Sequence, residues 1–297
     1  MVNYRQIWLI NGLGQKFTLS DPEESKTFLQ NPLGFGFRRE YYSEKIGNSE
    51  LVTSQQYSLT DITGDLAFHA TSSNAKIYKD YTDFIQFCKY TPLELHYQTP
   101  NSTEAYHCDV LFVEASKGEI GYNDGILHVA VTFHRLTDWL TDESRRIEMN
   151  NDPVGEGKYY NYTYDYSYAG TNLSNTHIVN NGTDDVGFIL TVDGEAQNMQ
   201  FTLSQNGVVY GVCKLTGTYD FIQVDSVERT ESIYLESGGT SISNPEQYQD
   251  FSVANNQTYL TWIKLKVGES VFSFTCGNID TFDGTVTLSF KESYVSV

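Results

Sequence analysis

Proline, methionine, tryptophan and cysteine are scarce in this chain, with 6, 3, 3 and 4 copies in 297 residues. The cysteines, Cys88, Cys108, Cys213 and Cys276, are scattered. None forms a CxxC pair or a metal-ligand spacing, which excludes zinc-finger and zinc-ribbon designs. Buried, reduced thiols are expected, because Cys88 falls on an apolar helix face and the others fall in strand-like runs. No apolar run approaches the roughly 18 residues that a membrane helix needs. A basic, apolar, small-residue start of the secretory kind is missing as well, so cytoplasmic synthesis is the default expectation. Basic residues are few: 19 Lys and Arg face 38 Asp and Glu, for a net charge of -19. Residues 1–150 hold 13 against 20, and residues 151–297 hold 6 against 18. That balance argues against a surface that grips nucleic acid by its phosphates.

Signatures of catalysis are also wanting. The histidines, His69, His96, His107, His128, His134 and His177, show no HExxH spacing. There is no GxSxG nucleophile turn. Glu114, Glu119, Asp124 and Asp138 are not paired by any sequence pattern across a cleft. Asp184-Asp185 and Asp280/Asp283 lack the dense oxygen run and closing glutamate of a calcium loop. Gly34-Phe35-Gly36 lacks the third glycine and the following helix of a dinucleotide fingerprint. The expectation is a protein that is not an enzyme and holds no cofactor and no metal.

What is present is aromatic: 22 tyrosines and 17 phenylalanines, with many Gly, Asn and Thr. This composition favours sheet. The clearest helix lies between Tyr78 and Tyr90, where Tyr81, Phe84, Ile85 and Cys88 form one apolar stripe. Thr91-Pro92 ends it, and Leu93–Tyr97 follows as a strand. Two longer alternating runs, His107–Glu114 and Ile126–Phe133, complete a sheet on which that helix can lie. Gln6–Ile10 and Lys16–Leu19 pair around Asn11-Gly12-Leu13-Gly14, with Trp8 and Ile10 opposite Phe17 and Leu19. Asp21–Leu29 reads as polar with a helical turn after Asp21-Pro22. Glu50–Leu59 and Ile62–Ala70 read as a hairpin about Thr60-Asp61. Trp139 is either a lid on the core or part of an interface.

Thr141–Gly157 is charged and turn-rich and marks a boundary, giving domains at 1–145 and 155–297. Lys158–Tyr168 alternates strictly, with Tyr160, Tyr162, Tyr164, Tyr166 and Tyr168 on one side, as a strand pairing aromatics would. Short strands are expected at His177–Asn180, Val186–Asp193, Gln200–Ser204, Gly207–Lys214, Tyr219–Asp225, Ser232–Leu235, Thr258–Lys266, Val271–Cys276 and Gly284–Phe290. Their turns, among them Gln205-Asn206-Gly207, suit an antiparallel sandwich. The fold class is mainly β: an N-terminal antiparallel sandwich or barrel-like sheet with one packed helix, then a C-terminal sandwich.

Several pieces, in order and spacing, resemble the distal tail protein (Dit) family of long, non-contractile-tailed phages. They are Leu9-Ile10-Asn11-Gly12 with Gly14 and Phe17, and Phe28-Leu29 with Asn31-Pro32-Leu33-Gly34-Phe35-Gly36. The helix with Phe84 and Phe87, followed by Leu95–Tyr97, belongs to the same set. So do Lys117-Gly118-Glu119, Gly125–Phe133 and Trp139. The second half is similar more loosely, through Asn180-Asn181-Gly182 and Val192-Asp193-Gly194-Glu195-Ala196. The resemblance implies a structural virion protein: a homohexameric ring that joins the tail tube to tail-associated lysin, adhesion, receptor-binding or baseplate proteins. It implies a galectin-like second domain and a place at the phage tail tip after assembly in the host cytoplasm. A closed ring needs heterologous interfaces, for which edge strands are ready material. Trp8, Leu51, Tyr57 and Trp139 are the interface candidates. The alternative is a carbohydrate-binding module carried on that ring and contacting host cell-wall polysaccharide, with Trp262, Trp139 and the tyrosine run as its handles.

Overall fold

The computed structural model describes residues 5–20, 27–69, 74–100, 103–120, 125–150, 173, 175–228, 230–242 and 262–297. The tyrosine-rich run 158–168 and residues 21–26 lie outside them. The chain divides into two compact units, Met1–Glu143 with Tyr294–Val297, and Ser144–Ser293.

The first unit contains β1 (Gln6–Asn11), β2 (Lys16–Ser20), β3 (Thr27–Leu33), β4 (Arg39–Ile46), β5 (Ser49–Tyr57) and β6 (Ile62–Phe68). Helix α1 (Asn74–Cys88) follows, then β7 (Leu93–Gln98), β8 (Ala105–Lys117), β9 (Leu127–Arg135) and β10 (Trp139–Thr141). A nine-stranded sheet runs in the order β21-β10-β8-β7-β1-β2-β3-β6-β9, where β21 (Ser293–Tyr294) comes from the chain end. Strand β8 is 13 residues long and serves twice. Its first half pairs with β7 and its second half with β9. Setting aside β10 and β21, the other seven strands therefore close on themselves as an antiparallel barrel. Closure removes the exposed edges that an open sheet would keep.

Alternation fills the interior. In β9, Leu127, Val129, Val131 and Phe133 are buried, while Ala130 and His134 face out. Helix α1 adds Ile77, Phe84, Phe87 and Cys88 to the same core. Phe84 lies against Phe17, Phe68 and Phe112, with centroids 5.1, 6.0 and 5.7 Å away. Burying a Phe side chain stabilises by about 1.5–3 kcal/mol, so this aromatic cluster fixes the helix on the barrel.

The turn between β1 and β2 is tied to the end of α1. Buried Asn11 accepts from the backbone N–H of Leu13 and Gln15 through Oδ1, at 3.1 and 3.0 Å. Its Nδ2 donates to the Phe87 carbonyl at 3.4 Å. Gly12 donates to the Tyr90 carbonyl at 2.9 Å. A Cβ at Gly12 would stand 2.3 Å from the Thr91 carbonyl oxygen, so only glycine permits this approach.

Several expectations need correction. Trp8 and Ile10 do share a face, but it is the outer one. Ile7 and Leu9 fill the core, and Leu9 is the partner of Phe17. A register shift between Ile7 and Trp8 sets that pattern. Residues 27–29, the end of the stretch read as polar, belong to strand β3, and the helical turn expected after Asp21-Pro22 falls outside the described residues. β5 does not pair with β6. It pairs with β4, while β6 lies between β3 and β9.

The second unit holds β11 (Arg145–Asn150), β12 (Thr176–Asn180), β13 (Phe188–Gln197), β14 (Gln200–Gln205) and β15 (Val208–Lys214). It continues with β16 (Thr218–Asp225), β17 (Ser232–Ser237), β18 (Thr240–Ile242), β19 (Gly268–Thr275) and β20 (Thr285–Phe290). They form a six-stranded sheet, β11-β20-β13-β16-β17-β18, and a four-stranded sheet, β12-β19-β14-β15. Phe188, Leu190 and Leu288 from the first share one core with Phe201, Leu203 and Phe272 from the second, which is the sandwich arrangement. Asn206 and Gly207 turn the β14–β15 hairpin with φ of 53° and 76°, as a type I′ turn requires. The Thr258–Lys266 expectation fails where it can be seen: residues 262–264 carry no strand, and Leu265 makes one isolated bridge to Val186.

Candidate functional site: an exposed two-stranded ribbon

Between β3 and β6 the chain leaves the barrel. β4 and β5 form a separate two-stranded antiparallel sheet, from Arg39 opposite Tyr57 to Ile46 opposite Ser49. The loop between them is Gly47-Asn48, with Gly47 at φ 64°, the first central position where II′ hairpins place glycine. All of β5 is exposed, and so is β4 except Glu40.

The base of the ribbon is pinned. Gly34 has φ 95°, and a Cβ there would stand 2.1 Å from the Asp61 carbonyl oxygen. Thr60 donates its hydroxyl to the Gly34 carbonyl at 2.9 Å, and the Ser58 N–H donates to the Arg38 carbonyl at 3.1 Å. Phe37 and Tyr57 meet with centroids 5.2 Å apart. The Arg39 guanidinium lies over both rings, 5.7 and 5.2 Å from their centroids, and donates to the Tyr57 hydroxyl at 3.2 Å.

Beyond that base nothing in the described first unit covers the ribbon. Tyr41, Tyr42, Ile46, Leu51, Val52 and Tyr57 are each more than half exposed, from 52% to 64%. A lone hairpin is marginal in water. A large exposed apolar patch on a soluble domain marks a contact surface, and open strand edges invite pairing with another chain.

The interface candidates divide on this geometry. Leu51 and Tyr57 stand on the ribbon, exposed. Trp8 is half-buried on the barrel's outer face, stacked on His96 at 5.1 Å and 13°. Trp139 has no exposed surface to offer a neighbour. It stacks on Phe35 at 5.5 Å and lies under the Arg135 guanidinium at 5.4 Å, so of its two expected roles it takes that of the lid. The sequence reading missed Tyr41, Tyr42, Ile46 and Val52. The available signal was Gly47 flanked by two non-alternating polar-aromatic runs.

The cysteines are poorly placed for reactive work. The four cysteines are unpaired and buried. Burial pushes the Cys88, Cys108 and Cys213 thiols up to about 12, far from the thiolate range that reactive cysteines need. The handles for sugar stacking are also poor. Trp139 is buried, Trp262 packs partly buried against the second core, and the tyrosine run lies outside the described residues.

The family description of the distal tail protein N-terminal domain matches residues 6–136. No curated protein sequence is similar enough to match. Among solved structures, the fold is similar to SPP1 Dit, described as a hub adsorption apparatus in phages infecting Gram-positive bacteria. Identity is 12% and the TM-score 0.65, over 96% of this chain and 98% of that one. It is similar as well to the phage p2 baseplate in its activated conformation with strontium, at 15% identity and TM-score 0.56 over 99% of each chain. The calcium form matches at 15% identity and TM-score 0.56 over 100% of each. At such low identity the likeness is one of fold. Residues 6–136 are thus similar to the N-terminal domain of phage distal tail proteins.

Proposed function

We propose that the protein is the distal hub of a long, non-contractile phage tail and that its first domain closes into a hexameric ring. The ring joins the tail-tube protein to adhesion, lysin or baseplate proteins. The observation that carries this reading is the β4–β5 ribbon: a hairpin with open edges and exposed aromatic and aliphatic side chains, held at its root by Gly34 and Thr60. In a cyclic assembly each copy presents the ribbon to one neighbour and receives another, and the contact is heterologous and self-closing. Leu51 and Tyr57 lie in that contact.

The charge balance supports a passage for DNA. A lumen crossed by DNA must not trap phosphates, and residues 1–150 carry 13 basic against 20 acidic groups. The sandwich is galectin-like and serves as a platform for neighbouring tail proteins. Assembly takes place in the host cytoplasm. Native mass spectrometry of the full chain, alone and with tail-tube protein, tests the reading. A six-copy species is expected, and a monomer under both conditions would refute it.

A further inference from the structure

On the outer face of the barrel three strands place donor atoms together. His96 on β7 stands directly opposite His107 on β8. β10 pairs with the same stretch of β8, Leu140 opposite His107. The next residue after β10 is Asp142, whose N–H donates to the Ala105 carbonyl at 3.0 Å. Backbone pairing thus fixes all three positions. His107 Nδ1 is 2.7 Å from Asp142 Oδ1, and His96 Nδ1 is 3.2 Å from the same oxygen. All three donor atoms lie within 4.8 Å of one another.

We propose that His96, His107 and Asp142 bind a divalent transition metal of the zinc class. Two imidazole nitrogens and one carboxylate oxygen are the donor set of such ions, and calcium prefers an all-oxygen shell. The edge of a tetrahedron around zinc is about 3.3 Å for bonds near 2.0–2.1 Å. The His96–Asp142 gap of 3.2 Å is near that edge, and the His107–Asp142 gap of 2.7 Å is shorter, so His107 and Asp142 would have to part by about 0.6 Å to admit the ion.

Glu94 supplies the independent observation. Its Oε2 lies 3.3 Å from His96 Nε2, on the far side of the ring from Asp142. A neutral imidazole has one N–H and here faces two carboxylates. When Nε2–H donates to Glu94, the Nδ1 lone pair points at the Asp142 anion, and a cation between them removes the conflict. Carboxylates that orient ligating histidines in this way are the usual outer partners of zinc sites. Two carboxylates and two neutral imidazoles also balance a dication.

The surroundings restrain the ligands. His96 and His107 are only 6% and 9% exposed. They stack on each other at 5.3 Å, with Trp8 against His96 and the Lys16 ammonium over Trp8. The Asp142 side chain is 32% exposed, so solvent reaches one side of the cluster. Two further histidine–carboxylate pairs, His134–Asp61 and His177–Glu269, are exposed and have one imidazole each. They serve as controls.

The test uses the untagged full-length chain, stripped with a chelator and titrated with Co²⁺ by visible absorbance. One Co²⁺ per chain is expected, with the intense bands of a low-symmetry site, displaced by Zn²⁺ and not by Ca²⁺. H96A, H107A and the isosteric D142N should each lose saturable binding. E94Q should weaken it by roughly 10–100-fold, and H177A should leave it unchanged. No saturable uptake by a chain whose circular dichroism is native would overturn the proposal. So would uptake that survives in the H96A/H107A pair or in D142N. Because the readout is metal binding, it stands or falls separately from ring formation.

Discussion

Arg135 shows how single residues stabilise the first unit. It is 2% exposed, reaches Asp138 at 3.3 Å, donates to the Thr137 carbonyl and covers the Trp139 ring. Burial pulls its pKa below the usual arginine value. Removing one partner of a pair costs most when the charge left behind is buried, about 3–5 kcal/mol, and here Arg135 is the buried member, whereas Asp138 keeps 29% of its side-chain surface in water. Asp138→Ala should therefore lower the denaturation midpoint more than Arg135→Met, as urea titration would show. Equal losses would mean that Arg135 stabilises mainly by packing on Trp139 and not by its charge. Gly34→Ala is a second residue-scale case. Its φ of 95° and the 2.1 Å approach to the Asp61 carbonyl predict a loss of at least about 1–3 kcal/mol. A neutral result in thermal melting would show that the ribbon's root can shift without cost.

At the scale of elements, what is legible in the sequence follows periodicity. The stripe Tyr81, Phe84, Ile85 and Cys88 marks the helix, and strict alternation marks β9, because one buried face leaves a clear pattern. The sequence locates β5 but suggests the wrong partner. Its residues are exposed on both faces, so no alternation points to a side, and nearness in sequence favours β6. The cross-strand meeting of His96, His107 and Asp142 is hidden for another reason: the two histidines are 11 positions apart, and only register shows that they are opposite each other. Trp139 is compatible with both of its expected roles until packing is known, since burial of a lone tryptophan near polar neighbours has no sequence signature.

The ribbon gives the element-scale prediction. Exposed substitutions away from special features usually change stability by less than about 0.5 kcal/mol. Leu51→Ser with Tyr41→Ser should leave the melting temperature of the dissociated chain nearly unchanged while weakening assembly at least tenfold in sedimentation experiments. If the double variant assembles normally, the ribbon is not the contact surface. If the isolated chain unfolds, the side chains have an internal role that their exposure conceals.

For the whole molecule, the two units differ in construction: a closed barrel plugged by a helix, and a two-sheet sandwich. The chain end belongs to the first. The Val297 N–H donates to the Phe35 carbonyl at 3.2 Å, and Tyr294 meets Tyr106 edge-on at 5.4 Å. A chain lacking residues 294–297 should thus lose stability in the first unit, visible as faster amide exchange in β8 and β10. The central claim concerns assembly and is most directly tested by electron microscopy of the purified full chain, alone and mixed with tail-tube protein. Six-fold rings with a central hole are predicted in at least the mixture. Single particles without symmetry in both samples would contradict it.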